Sequence, residues 1–161
     1  MSTVGYMQAI RERYEKLGYT PYRWYEAESE PPWTPMQKPL SESRLGLIST
    51  SGAYVVGQVA YHYKDDTSIR AIPTDSDLDN IRFSHITENY LVSPKKDSNC
   101  ILPLTQLNQM ADEGTAGSIA ANAFTCMGGV YSQRRVREEI APTLHEALLR
   151  EQIDCALLVA M

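Results

Sequence analysis

The segment Ile153-Asp154-Cys155-Ala156-Leu157-Leu158-Val159-Ala160 is apolar at nearly every position and shows almost no alternation. A strand with one wet face would alternate with period two, so this one reads as buried on both faces, as strands of a parallel sheet are. Leu45-Gly46-Leu47-Ile48-Ser49-Thr50 is a second such run, ending in the glycine-containing turn Ser51-Gly52-Ala53. Ser68–Pro73 alternates and is stopped by Pro73, and Ser118–Phe124 is a weaker strand. Between these lie helical patterns. Leu104, Leu107 and Met110 mark a short helix with Thr105 available as cap and Gly114 beyond its end. Val136, Ile140, Leu144 and Leu148 mark a longer one after Ser132. Pro142 interrupts the longer pattern, and either kinks the helix or opens a second one in its first turn. Continuous apolar strands separated by helices predict a three-layer α/β fold with a mostly parallel sheet.

A different texture precedes this. Val4, Met7, Ile10, Tyr14 and Leu17 recur at helical spacing up to Gly18, within a stretch that also carries Tyr19, Tyr22, Trp24 and Tyr25. Glu30-Pro31-Pro32-Trp33-Thr34-Pro35 cannot be helix interior. Residues 1–40 are therefore expected to be a helix and an extended aromatic arm, with the α/β domain over 41–161. The arm either covers the domain's own surface or docks on a partner subunit, as clustered Tyr and Trp anchors do.

Composition excludes several classes. Fifteen Lys and Arg against 20 Asp and Glu leave a net charge of −5, which argues against a nucleic-acid or anionic-membrane binder. No apolar run approaches the ~20 residues of a membrane span, and no signal peptide is written at the N-terminus, so a cytoplasmic protein is expected. Cys100, Cys126 and Cys155 form neither a secreted framework nor a CxxC pair, and His62, His85 and His145 fit no common metal-ligand spacing.

Several short motifs follow one another in a fixed order: Pro31-Pro32-Trp33-Thr34-Pro35, Leu45–Thr50, Asp66-Thr67-Ser68-Ile69-Arg70-Ala71-Ile72-Pro73, His85, Asp97-Ser98-Asn99-Cys100-Ile101-Leu102-Pro103-Leu104, Glu113-Gly114, Met127-Gly128-Gly129 and Glu139-Ile140-Ala141-Pro142. In this series, over roughly residues 30–161, the chain resembles the selenoprotein B family of glycine, sarcosine, betaine and D-proline reductases. The arm and the Asn99-Cys100 pair are most similar to the D-proline branch. The resemblance implies reductive cleavage of an amino-acid C–N bond, with a dithiol as reductant and a pyruvoyl group on a partner subunit activating the substrate amine. It also implies a selenocysteine or cysteine nucleophile directly after the strand that here reads Ala156–Ala160. The sequence stops at Met161. Either a selenocysteine codon has been read as a stop, or the protein is a short homologue with another role.

The candidate site residues follow from both readings. His85 is the default proton-transfer group near neutral pH, and it matches a histidine of the family pattern. Cys100 and Cys126 are the thiols placed to reach the strand ends, Cys126 being followed by Arg134, Arg135 and Arg137. Asp66, Ser68 and Arg70 are candidates for binding an amino-acid-like substrate, with the arginine fork suited to a carboxylate; the alternative is a structural ion pair. Asp97 and Asn99 either contact the substrate amine or close a local turn. Gly128-Gly129 could offer backbone N–H groups to an anion. Three roles stay open: a reductase subunit, a non-redox binding or assembly subunit, and a small enzyme using Cys100 or Cys126.

Overall fold

In the computed structural model, residues 5–21 and 26–161 are described. Val4, Tyr22, Trp24 and Tyr25, read above as part of the helix face and arm, lie outside them. The chain divides into two units, 1–35 and 36–161. In the first, helix α1 runs Tyr6–Lys16 and carries the i,i+4 pairs Gln8–Glu12 and Arg11–Glu15. The helix ends at Leu17, and Gly18 follows at φ +77°, the left-handed position that glycine tolerates best.

The second unit is an α/β fold around one mixed, mostly parallel sheet. Strand β1 (Arg44–Ser49) is its centre. On one side β1 pairs in parallel with β7 (Cys155–Val159), from Leu45↔Cys155 to Ser49↔Val159. On the other side it pairs first with β5 (Ser118–Ile119) and then with β6 (Asn122–Thr125), both parallel. Strand β3 (Arg70–Pro73) closes that side antiparallel to β6. The stretch expected to be one strand over 118–124 is thus two short ones. A separate antiparallel pair joins β2 (Ala53–Val55) to β4 (Ile81–Phe83); neither strand is long enough to show a period in the sequence.

Alternation on β1 sorts the core. Leu45 and Leu47 join Leu104 and Leu107 of helix α2 (Leu104–Asp112), together with Ile72, Leu102 and Ala123. Gly46 instead receives Ile153: a Cβ there would lie 2.5 Å from the isoleucine Cδ1. Helix α2 is not capped by Thr105. The side chain of Asn99 does that work, accepting the Thr105 N–H at 3.1 Å.

Ser132 caps helix α3 (Gln133–Arg135), as its position suggested. A π-helical turn, Val136–Ile140, then leads into α4 (Ala141–Arg150) with Pro142 in its first turn. Pro142 has no N–H to donate, and its ring would crowd the carbonyl of residue 138, so the turn widens here rather than kinking.

One expectation needs correcting. Among the described residues strand β7 pairs on one side only and is not buried on both faces: Leu157 is 40% and Leu158 70% exposed, and Cys155 is only half-buried. Its register is set at the start. Asp154 accepts the Arg44 N–H at 2.7 Å and pairs with Lys38, while its own N–H returns to the Arg44 carbonyl. Among the described residues no helix is long and apolar enough to cross a membrane.

Candidate functional site

Because β1, β6 and β7 are parallel, their carboxyl ends come out side by side, where open α/β sheets bind ligands. The segments that leave them are stitched together. Thr50 donates its N–H to the Val159 carbonyl at 3.0 Å and accepts the Met161 N–H on Oγ1 at 2.9 Å. Gly52 donates to the Cys126 carbonyl at 2.9 Å, and Ser51 bridges to Met127. Gly52 sits at φ +63° with the Ser84 carbonyl where a Cβ would be, and its own carbonyl accepts the Ser84 N–H. This brings His85, two residues beyond the end of β4, up to the strand ends.

Gly128 completes the approach. A Cβ there would lie 2.8 Å from the Thr50 carbonyl oxygen, 2.9 Å from that of Met161 and 3.1 Å from His85 Nε2. A side chain at this position would fill the space between the three. The Gly128-Gly129 pair thus serves close backbone packing, the more so because a Cβ on Gly129 would meet Ile86.

His85 is 7% exposed. Its Nδ1 accepts the Thr87 N–H at 3.1 Å and lies 2.6 Å from the Thr87 hydroxyl. An Nδ1 that accepts leaves the proton on Nε2. Burial pushes the imidazole pKa down, so the ring is neutral near pH 7 and presents an Nε2–H donor. That Nε2 has no hydrogen-bond partner among the described residues, and neither has the buried Ser51 hydroxyl. A buried polar group without a partner costs about 1–3 kcal/mol. Two such groups on residues that meet at one sheet end mark a place where a polar ligand atom would be stabilising. The loop 86–90, which includes Thr87, lines a cavity of about 330 Å3.

The Asp66–Arg70 segment is drawn toward this end through Tyr61. The buried Tyr61 hydroxyl lies 2.7 Å from the Thr125 carbonyl and 2.8 Å from its side-chain oxygen, and its own carbonyl accepts the Ser84 hydroxyl. The Arg70 guanidinium lies 4.3 Å above the Tyr61 ring centre, a cation–π contact. Its Nε donates to the Val59 carbonyl and its Nη1 to the Ser68 hydroxyl and the Ile69 carbonyl. Asp66 accepts the Ser68 hydroxyl and N–H and the His62 N–H. Burial opposes ionisation of Asp66, but these hydrogen bonds outweigh it and hold its carboxyl below the usual range. Asp66 and Arg70 are therefore joined through Ser68 rather than as a direct ion pair. The neighbouring Thr67 hydroxyl donates to Glu139 at 2.7 Å, and Arg135 spans Glu139, the Asp65 carbonyl and Thr67.

Asp97 and Asn99 form a local turn. Asp97 Oδ1 accepts both the backbone and side-chain N–H groups of Asn99, and Asn99 caps α2. Ser49 ties this loop to β1 by donating to the Ile101 carbonyl at 2.7 Å. Cys100 is exposed on it, and Cys126 is buried beside Gly52 at the sheet end. Neither thiol is activated: desolvation, then the Asp97 charge, raises the Cys100 pKa, and burial pushes Cys126 up to about 11. At pH 7 a pKa of 11 leaves about one Cys126 in ten thousand as thiolate. With iodoacetamide at pH 7, Cys100 is expected to react more slowly than a free peptide cysteine. Cys126 should be at least ~10-fold slower again until the chain unfolds. Labelling of Cys126 at the peptide rate in the folded protein would show an opening that this fold does not contain.

The structure thus gathers His85 with Cys126 and Gly128. Through Ser84 and Tyr61 it links them to Arg70, Ser68 and Asp66. Asp97, Asn99 and Cys100 belong to a neighbouring loop joined to the other end of Ser49. Tyr61, Ser51, Thr125 and the Arg135–Glu139 clamp escaped the sequence reading. For Ser51 the small-residue end of β1 was a usable signal; for Tyr61 there was none, since its role depends on partners 9 to 64 residues away. Among the described residues no group of three or more His, Cys, Asp or Glu could hold a metal ion.

With this geometry in hand, the chain can be set beside known proteins. No protein-family model matches it, and no solved structure does. It is 30% identical over 131 residues to the D-proline reductase subunit gamma of Acetoanaerobium sticklandii, a match taking in 81% of this chain and 53% of the relative. The chain therefore spans about half the length of the curated relative it matches. The extent of the identity supports a family relationship between the chain and that reductase subunit.

Proposed function

We propose that the chain forms the substrate-holding part of a dithiol-driven amino-acid reductase that cleaves a C–N bond. The observation that carries the reading is His85: a buried neutral imidazole whose Nε2–H has no partner, aimed at the joined carboxyl ends of β1, β6 and β7. There it would donate to an anionic or carbonyl oxygen of the substrate while the Ser51 hydroxyl offers a second donor. In the reaction the bond between carbon and nitrogen breaks. Carbon gains a hydrogen, nitrogen leaves as an amine, and a dithiol supplies two electrons and two protons as it closes to a disulfide.

The likeness to the reductase subunit supports this chemistry, and the unactivated thiols of the chain shape it. Cys126 and Cys100 are poor nucleophiles in this fold, so either would act only after a local rearrangement. The reading therefore gives the attack to a selenolate or thiolate meeting the substrate at the carboxyl end of β7. Arg70, held by Tyr61 and Ser68, and Asp66 shape the neighbouring loop. The aromatic arm of the first unit would dock on a partner subunit, which on the family pattern carries the pyruvoyl group. That group would activate the substrate amine.

The test is thiol consumption by the complex that co-purifies with the chain from its own host. With dithiothreitol and glycine, sarcosine, betaine or D-proline supplied in turn, one of them should drive the formation of one disulfide per C–N bond cleaved. Thiol oxidation that no amino acid of this set accelerates would overturn the reading.

A further inference from the structure

Strand β7 leaves one edge of the main sheet open: among the described residues it pairs with β1 alone. The residues that usually guard such an edge are absent from Cys155–Val159, which holds no Lys, no Pro and no charged side chain. Ala156, Leu157 and Leu158 are exposed on it. The groups gathered around His85 make no use of this edge.

The ladder decides which backbone groups the edge offers. The Val159 carbonyl points at β1, where it accepts the Thr50 N–H, and the Met161 N–H reaches Thr50 Oγ1 on the same side. Successive residues of a strand turn their backbone groups to opposite sides. The N–H and C=O of Ala156 and of Leu158 therefore face outward. Side chains alternate across the sheet instead. The register with β1 puts Leu157 on the face of Leu47, and Ala156 and Leu158 on the face of Gly46 and Ile48.

These positions complement themselves. In an antiparallel pair with its two-fold axis at Leu157, Ala156 stands opposite Leu158 of a second copy, and Leu158 opposite Ala156 of that copy. In both pairs the outward N–H and C=O groups exchange two hydrogen bonds. On one face the large Leu158 meets the small Ala156, and on the other the two Leu157 side chains meet across the axis. No like charges face each other. The carboxylate next to the strand, Asp154, is paired with Lys38 and comes opposite Ala160 of the second copy.

We infer that two copies of this chain associate through β7, their sheets joined antiparallel around a two-fold axis at Leu157. A foreign strand could use the same outward backbone groups, but the fit of Leu158 to Ala156 and the absence of charge are properties that β7 shows toward itself. A two-fold contact closes on itself and stops at two copies. It is small, below the roughly 1,200 Å2 of a standard interface, so the dimer is a weak one. The inference is independent of the reductase reading, because association is measured without turnover.

Sedimentation velocity of the full 161-residue chain over ~5–500 μM should show monomer passing to dimer and nothing larger. Leu158→Lys and Leu158→Glu should each weaken the dimer ~10-fold, because the two side chains at 158 are diagonal neighbours across the axis. An equimolar mixture of the two variants should restore it. Leu158 is 70% exposed, so neither change burdens the fold. A cysteine pair tests the register. Non-hydrogen-bonded partners have Cα atoms about 4.5 Å apart, within the roughly 4.4–6.8 Å that a disulfide spans. With oxidised glutathione, Leu157→Cys in a Cys100→Ser background should therefore form a linked dimer. Tyr90→Cys, at a position 67% exposed, should link at least ~10-fold more slowly in the same background. Monomer at every concentration, growth beyond two copies, or a mixture that does not restore the dimer would each refute the inference. Association that Leu158→Lys leaves unchanged would assign it to another surface, and equal linking of the two cysteine variants would exclude this register.

Discussion

Gly52→Ala is expected to destabilise the protein by about 3 kcal/mol and to displace His85. Two costs add at this one residue. An L-side chain in the left-handed region costs roughly 1–2 kcal/mol, and Gly52 sits at φ +63°. The new Cβ would also fall on the Ser84 carbonyl oxygen, and forcing backbone apart in a packed interior costs about 1–3 kcal/mol more. Gly114 supplies the control. It too has positive φ, +73°, but a Cβ there meets nothing within 4 Å. Gly114→Ala should therefore show the conformational cost alone, about 1 kcal/mol. Urea unfolding midpoints of the two variants measure the difference. Equal losses would mean that Ser84 yields freely and that the approach of His85 to the strand ends is not rigid.

The larger effect concerns activity. In the assembled complex, His85→Ala is expected to lower amino-acid-dependent thiol oxidation ~100-fold, the low end of what a positioned proton-bearing group contributes. His85→Gln should recover part of that loss, because its longer amide side chain can present an N–H near where Nε2–H stood. A side chain needed only to fill space would be rescued equally well by Leu, so His85→Leu separates the two roles.

His85 also makes a pH prediction whose sign is fixed by its burial. Its pKa is lowered in the folded state, so the unfolded chain binds the proton more readily. The stability associated with the neutral ring is complete above the unfolded value of about 6.5 and declines as pH falls from there toward the folded value. Denaturant midpoints of the wild type between pH 7.5 and 5.5 should show this decline, and His85→Asn should flatten it. An unchanged slope in the variant would assign the decline to other groups.

Sequence and structure divide the explanation unevenly. The ends of β1, the helix after Pro103 and the caps at Ser132 and Gly114 were all legible in the chain, because each rests on neighbours within a few residues. So was the choice of a mostly parallel α/β sheet, since apolar strands without alternation lie between helical patterns. His85 could be singled out by chemistry and resemblance, but its partnerless Nε2 could not. That property arises only when Gly52, Ser84 and Gly128, some 76 residues apart at the extremes, pack together.

Asp66 and Arg70 show the same limit from the other side. Their spacing suggested a direct pair, whereas the fold places Ser68 between them and lays the guanidinium on Tyr61. Strand β7 marks where periodicity itself misleads. An apolar run reports that a strand is poor company for water, but whether both faces are covered depends on what lies beside it, and here Leu158 is left 70% exposed. What the sequence determined by itself was local: the approximate places of the longer strands and helices, and the class of sheet they form. Tertiary structure alone decided which polar groups were left without partners and which loops met at the strand ends, because those outcomes depend on contacts between segments that no local pattern encodes.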